Sequence, residues 1–257
     1  MLFRSVPQVN ERHRQGATGA RDDRSMTGKT VAVLGSRGGA GASSFAAALA
    51  RAAHGQEVKA RKSRGRRRRN VVLADLATGA GLDVLLGLEH EPGPRWSELA
   101  LDAGVDLGTL PEWAGVRVVS RDRRPDDLPA AVRSEVLAQL ARSAELVVLD
   151  VGAHAEALTV LSAASIVLIV SPRDVRSAAG VLRWRDRLAS VHEDVRLVVR
   201  GPSPGGLGVL ELAHVADLPV AAAGKADRRL DSALEHGLGP PPRGPLARVA
   251  ARVLDEL

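Results

Sequence analysis

The chain has no cysteine and no tyrosine, only two Phe and three Trp, and no apolar run long enough to cross a bilayer. Without thiols, neither a disulfide framework nor a thiolate metal site can form, and a reducing compartment, the cytoplasm, is the expected setting. So few rings leave little on which bases could stack, which argues against a single-strand nucleic-acid platform. Trp96, Trp113 and Trp184 read as packing anchors instead. The seven histidines show no ligand spacing, such as two on one helical face, that would build a metal centre from imidazoles.

Net charge is also scarce over most of the length. The net charge is +6, yet between Glu57 and Arg69 there are eight cations (Lys59, Arg61, Lys62, Arg64, Arg66, Arg67, Arg68, Arg69) against one Glu. The remainder is close to neutral, so only this segment, read as a basic loop insertion over 57–69, raises the question of an anionic partner. Residues 1–26 mix charges with glycine and lack the apolar core of a signal peptide. They are expected to be a disordered N-terminal extension, with Met26 as a candidate start, ahead of one folded domain over 27–257.

From Thr30 onward, short runs rich in Val and Leu alternate with segments of helical period, the pattern of βα units around a buried, mostly parallel sheet with helices on both faces. The strand runs are Thr30 to Gly35, Asn70 to Leu76, Val116 to Ser120, Leu146 to Val151, Ser165 to Ser171, Val195 to Arg200 and Leu218 to Ala223. Helices are expected over Ser44 to His54, Leu128 to Ala144, Ala155 to Ala164, Val175 to Val191, Leu207 to Ala216, Ala226 to His236 and Leu246 to Leu257. Asp127 and Asp174 stand where N-caps belong, and Pro172 closes a strand.

One stretch carries chemistry. Val31-Ala-Val-Leu-Gly35-Ser-Arg37-Gly38-Gly39-Ala40-Gly41-Ala42-Ser43-Ser44 is a strand feeding a glycine-rich turn that opens a helix. In that setting backbone N–H groups form an anion cradle, and glycines let a phosphate approach the main chain.

The loop resembles the deviant Walker A motif of the MinD/ParA family, Lys-Gly-Gly-x-Gly-Lys-Ser/Thr. By that resemblance Arg37 stands at the signature lysine, which in the family reaches across a nucleotide-sandwich homodimer, and Ser43 at the hydroxyl that meets magnesium. Ser36 replaces a leading glycine, and Ala42 replaces the lysine that neutralises the β- and γ-phosphates. Asp75 falls where the family carries Asp-x-Asp, with Ala77 in place of the second acid, and Asp150 falls at the Walker B position, where an acid helps hold magnesium. The resemblance therefore implies a nucleotide site of Arg37, Gly38, Gly39, Ala40, Gly41, Ala42, Ser43, Ser44, Asp75 and Asp150, with Mg at Ser43 and Asp150. ATP or ADP with Mg is the implied cofactor, bound weakly and hydrolysed slowly or not at all.

A more local resemblance lies in Gly81-Leu-Asp-Val-Leu-Leu-Gly-Leu-Glu89 with Pro94-Arg95-Trp96, in Val195 to Gly206, and in Gly244-Pro245-Leu246-Ala. These are similar to the actinobacterial CpaE-like septum-site determining proteins. That likeness implies a spatial regulator of septum placement or of a Flp pilus or secretion apparatus, with protein partners in those machineries. An active ParA/MinD-type ATPase and a ParA-like DNA-binding partition protein, using the basic loop 59–69, are the alternatives. Peripheral attachment to the inner face of the cell membrane is a further expectation, through that loop and secondarily through the terminal helix, where Leu246, Val249, Val253 and Leu257 recur at helical spacing.

Overall fold

The strands in the middle of the sheet are apolar at nearly every position, which requires cover on both faces. The computed structural model describes residues 28–59, 66–77, 81–99, 104–121, 129–152 and 157–257. The expected extension 1–26 and the Asp127 cap lie outside them.

In chain order the strands are β1 (Lys29–Gly35), β2 (Glu57–Lys59), β3 (Arg66–Arg68), β4 (Val71–Leu76), β5 (Glu112–Trp113), β6 (Val116–Val119), β7 (Leu146–Val151), β8 (Ile166–Pro172), β9 (Val195–Arg200) and β10 (Val220–Gly224). The helices are α1 (Ala42–Gly55), α2 (Leu82–Leu86), α3 (Trp96–Leu99), α4 (Ala130–Ser143), α5 (Ala157–Ala163), α6 (Val175–Leu188), α7 (Val209–Ala216), α8 (Leu230–Glu235) and α9 (Pro245–Asp255). Eight strands form one sheet in the order β10-β9-β8-β1-β7-β4-β6-β5, parallel except for β5, which runs antiparallel to β6.

Alternation along each strand divides the core in two. Val31 and Val33 of β1 face a layer with Phe45 and Leu49 of α1, while Ala32 and Leu34 face the opposite layer with Val181 and Trp184 of α6. Helix α1 is alanine-rich on its buried side, which lets it lie close to the sheet, and α9 packs against both α1 and β10. Trp96, Trp184 and Trp113 are all buried, as anchors. Trp113 also stacks under the Arg51 guanidinium at 5.2 Å and donates from Nε1 to Leu238 O, fastening the proline-rich joint before α9.

Two expectations need correction. The amphipathic face of α9 is not free for a membrane, because Leu246, Val249, Val253 and Leu254 are buried against α1 and β10. Their burial on the protein's own sheet outcompetes a lipid contact. The basic segment is not a loop throughout either, since its ends pair as an antiparallel ribbon with Glu57 opposite Arg68. Arg67 Nη1 donates to Glu145 Oε2 at 2.7 Å, and the Asn70 N–H donates to the same oxygen at 2.8 Å, so the ribbon is tied to the sheet.

Candidate functional site

In an open α/β sheet, ligands bind beyond the carboxyl ends of the strands. Here the loop between β1 and α1 lies at that edge, with the ends of β4, β7, β8 and β9 around it. Gly39 (φ 72) and Gly41 (φ 87) take left-handed backbone that a Cβ would strain, and Gly41 caps α1. Phe45 N donates to Gly41 O at 3.0 Å, the first bond of the helix. The N–H groups of Ala42, Ser43 and Ser44 therefore precede any intrahelical acceptor, and no acidic residue sits in that first turn to offset the positive helix end. The cradle fits an anion.

The loop is held from behind by α6. Ser36 N donates to Val170 O at 2.9 Å, and a Cβ on Gly180 would run into the Ser36 carbonyl oxygen. A glycine in mid-helix costs about 1 kcal/mol relative to alanine, so Gly180 is explained by the close approach of helix to loop.

Parallel pairing of β4 with β7 sets Asp75 directly opposite Asp150. Both are nearly sealed from solvent, at 1% and 2% exposure. Burial raises Asp150 to about 7, against a hydrogen bond from the Ser43 side chain and with the neighbouring Asp75 charge adding to the rise. Burial likewise raises Asp75 to about 6, opposed by N–H donation from Leu82 (2.8 Å) and Ala77 (3.0 Å) and by the Arg121 charge. Trp96 Nε1 fixes the strand end by donating to Asp75 O at 2.7 Å. The three side chains open onto a cleft of about 570 Å³ that extends past Ala77 and Gly81 to α8. Hydroxyl and carboxylate oxygens with two adjacent acid groups suit a hard cation, whose charge would reverse the upward shift of both acids.

Arg37 sits beside the loop but turns toward α6. Its Nε donates to Ser177 Oγ at 2.9 Å, its Nη2 to Asp174 Oδ2 at 3.0 Å and its Nη1 to Gly38 O at 2.9 Å. Asp174 is the expected N-cap, accepting from Ser177 N at 2.9 Å, and Arg37 together with that N–H holds its carboxyl down at about 2.

The structure thus brings the residues from Arg37 to Ser44 to one edge with Asp75 and Asp150. It adds one that the motif reading missed. Arg200, at the end of β9, lies against the loop with Nη1 3.4 Å from Ala40 O, and it lines a second cleft of about 520 Å³ together with Arg37, Gly39, Asp174 and Arg176. A cation at the carboxyl end of a strand was the available signal.

No protein-family model matches the chain. Two curated relatives from Mycobacterium tuberculosis, the uncharacterized protein MT3760 of strain CDC 1551 / Oshkosh and the uncharacterized protein Rv3660c of strain ATCC 25618 / H37Rv, are each 40% identical over 252 residues, covering 95% of this chain and 67% of the relative. Among solved structures, a ParA family ATPase from Chlorobium tepidum TLS superposes with a TM-score of 0.75 at 13% identity, over 90% of this chain and 99% of that one. A chain of the MinC:MinD cell division protein complex of Aquifex aeolicus gives 0.72 at 16% identity, over 89% and 95%. The septum site-determining protein MinD of Pyrococcus horikoshii OT3, complexed with Mg-ADP, gives 0.66 at 14% identity, again over 89% and 95%. At such identities the likeness is one of fold, the mostly parallel MinD/ParA-type P-loop sheet.

Proposed function

This chain belongs to the family of the Mycobacterium tuberculosis protein Rv3660c, and we propose that it is a MinD/ParA-type spatial regulator that binds an adenine nucleotide with Mg and turns it over slowly or not at all. The carrying observation is one site in which the cradle, Ser43 and the two acids converge, while the position of the loop's cation holds the methyl group of Ala42.

In this reading the N–H groups from Gly38 to Ser44 bind the phosphates, and Ser43 Oγ with the Asp150 carboxylate hold the magnesium, with Asp75 beside them. Bound magnesium would supply charge neutralisation at the phosphate oxygens. Ala42 removes one positioned charge and Ala77 one acid, so the chain's own residues favour binding over chemistry.

The output is then a protein–protein interaction gated by the bound nucleotide, in a homodimer or with partners of the division or secretion machinery. A CpaE-like role at the septum or at a Flp pilus apparatus is the specific form we favour, supported by the local motifs around Gly81, Pro204 and Gly244. Attachment to an anionic membrane would come from the basic ribbon, which also carries the less favoured DNA-binding alternative. Calorimetric titration with Mg-ATP and Mg-ADP, run beside a steady-state hydrolysis assay, tests the reading. Binding with little or no turnover is expected, and turnover at a rate ordinary for intact P-loop ATPases would overturn it.

A further inference from the structure

The loop carries alanine at position 42, and its Arg37 turns toward α6, yet a second guanidinium presses on it from another strand. A Cβ on Gly41 would fall within the Arg200 guanidinium, whose Cζ lies 3.0 Å from that point. Arg200 therefore packs on the loop residue immediately before Ala42. Its one hydrogen bond among the described residues, to Ala40 O, is long at 3.4 Å. No described carboxylate forms an ion pair with it, and Asp231 and Asp227 act on it only through their fields.

Charge balance around it is unusual. Arg37, Arg176 and Arg200 line the second cleft, where Asp174 is the one acid and is already engaged by Arg37. The half-buried Arg200 also lies against Gly41, the residue that caps α1, and that helix has no acidic residue in its first turn. A guanidinium held this close to a positive helix end is unfavourable unless an anion offsets both charges.

We propose that Arg200 is the cation of this phosphate cradle, supplied from β9 in place of the lysine that Ala42 lacks, and that it contacts the phosphates of the bound nucleotide. The assignment rests on the nucleotide reading above. Because Arg200 opens to the second cleft and not to the one holding Ser43, Asp75 and Asp150, it strengthens binding of the phosphate chain without being placed at the magnesium end. Arginine suits the task, since its planar fork can meet two phosphate oxygens at once.

The test is calorimetric titration of the full chain with Mg-ADP and, separately, with inorganic pyrophosphate, in wild type, R200Q, R200K, A42K and the A42K/R200Q double variant. R200Q should bind Mg-ADP roughly ten- to hundred-fold more weakly, the range for losing a charged hydrogen-bonding partner. A42K should gain more in the R200Q background than in wild type, because the two cations serve one ligand and their effects are not additive. R200K keeps the charge but not the fork and should lose about threefold or more; it carries the comparison if R200Q does not fold. Binding by R200Q or R200K within twofold of wild type overturns the assignment, as does an equal gain from A42K in both backgrounds. Wild-type protein that binds neither Mg-ADP nor pyrophosphate overturns the nucleotide reading itself and the assignment with it.

Discussion

Arg37 and Asp174 close an ion pair within the same chain, Nη2 to Oδ2 at 3.0 Å, and the carboxylate of that pair is also the N-cap of α6. The residue that the MinD/ParA resemblance would send across to a second subunit is thus engaged in cis, and any crossing must first break this clip.

A partly exposed pair of this kind contributes about 0.2–1 kcal/mol. Asp174→Asn keeps a capping side chain while removing the charge, so it should ease nucleotide-dependent dimer formation by up to about fivefold, and Arg37→Ala should abolish it. Sedimentation velocity with a non-hydrolysable ATP analogue reads both. A sedimentation coefficient unmoved by nucleotide in wild type and in Asp174→Asn would leave Arg37 as a clip and nothing more.

Turnover is expected to be lower than that of a lysine-bearing relative by ~10²-fold or more, the scale of losing one preorganised charge. Ala42→Lys should tighten nucleotide binding. If Ala42→Lys changes nothing, the loop with Ser36 buried at its base does not present a cradle to phosphate.

The facing acids make stability depend on pH in a definite direction. Asp75 (about 6) and Asp150 (about 7) bind protons more strongly in the folded chain than in the unfolded one, where carboxyls titrate near 3.8. Between roughly pH 4 and 7 the folded state therefore holds the extra protons, and stability falls as pH rises through that window. Asp150→Asn should raise the melting temperature at pH 8 and leave it nearly unchanged at pH 5. Added Mg should stabilise wild type more at pH 8 than at pH 5, because protons compete for the same oxygens. Equal melting temperatures of wild type and Asp150→Asn at pH 8 would contradict the burial of that charge.

At an anionic membrane each free cation of the ribbon could add about 1 kcal/mol, falling with salt. Replacing Arg66, Arg67, Arg68 and Arg69 by Ser should abolish co-sedimentation with anionic liposomes at low salt. Glu145→Gln, which frees Arg67, should strengthen it. Undiminished binding by the serine variant would exclude the ribbon as the contact, and salt-sensitive retention on DNA would then favour the partition-type alternative.

All seven strands of the βα pattern were legible, because continuous Val and Leu runs bounded by turns have few other uses in a chain of this length. The short elements were not. Arg66–Arg68 and Glu112–Trp113 carry no apolar alternation and exist only through their partners, Glu57–Lys59 and Val116–Val119. Five-residue α2 follows Gly81 as its N-cap, and its N-terminal end is satisfied when Leu82 N donates to the Asp75 side chain, a bond no local pattern announces. The helix expected from Ala226 starts only at Leu230, since Asp227 accepts from Arg229 N and turns the chain first.

By itself the sequence determined the parallel α/β class and the places of the glycine loop and of the strand-end acids, because backbone preference and burial period are local properties. Tertiary structure alone decided that β1 lies between β7 and β8, that Asp75 faces Asp150, that Arg37 folds back on Asp174 and that Arg200 reaches the loop. The residues so joined stand 75, 137 and 160 positions apart in the last three cases. Strand order and the direction of a long side chain follow from how two covered faces pack, and no short window of sequence contains that information.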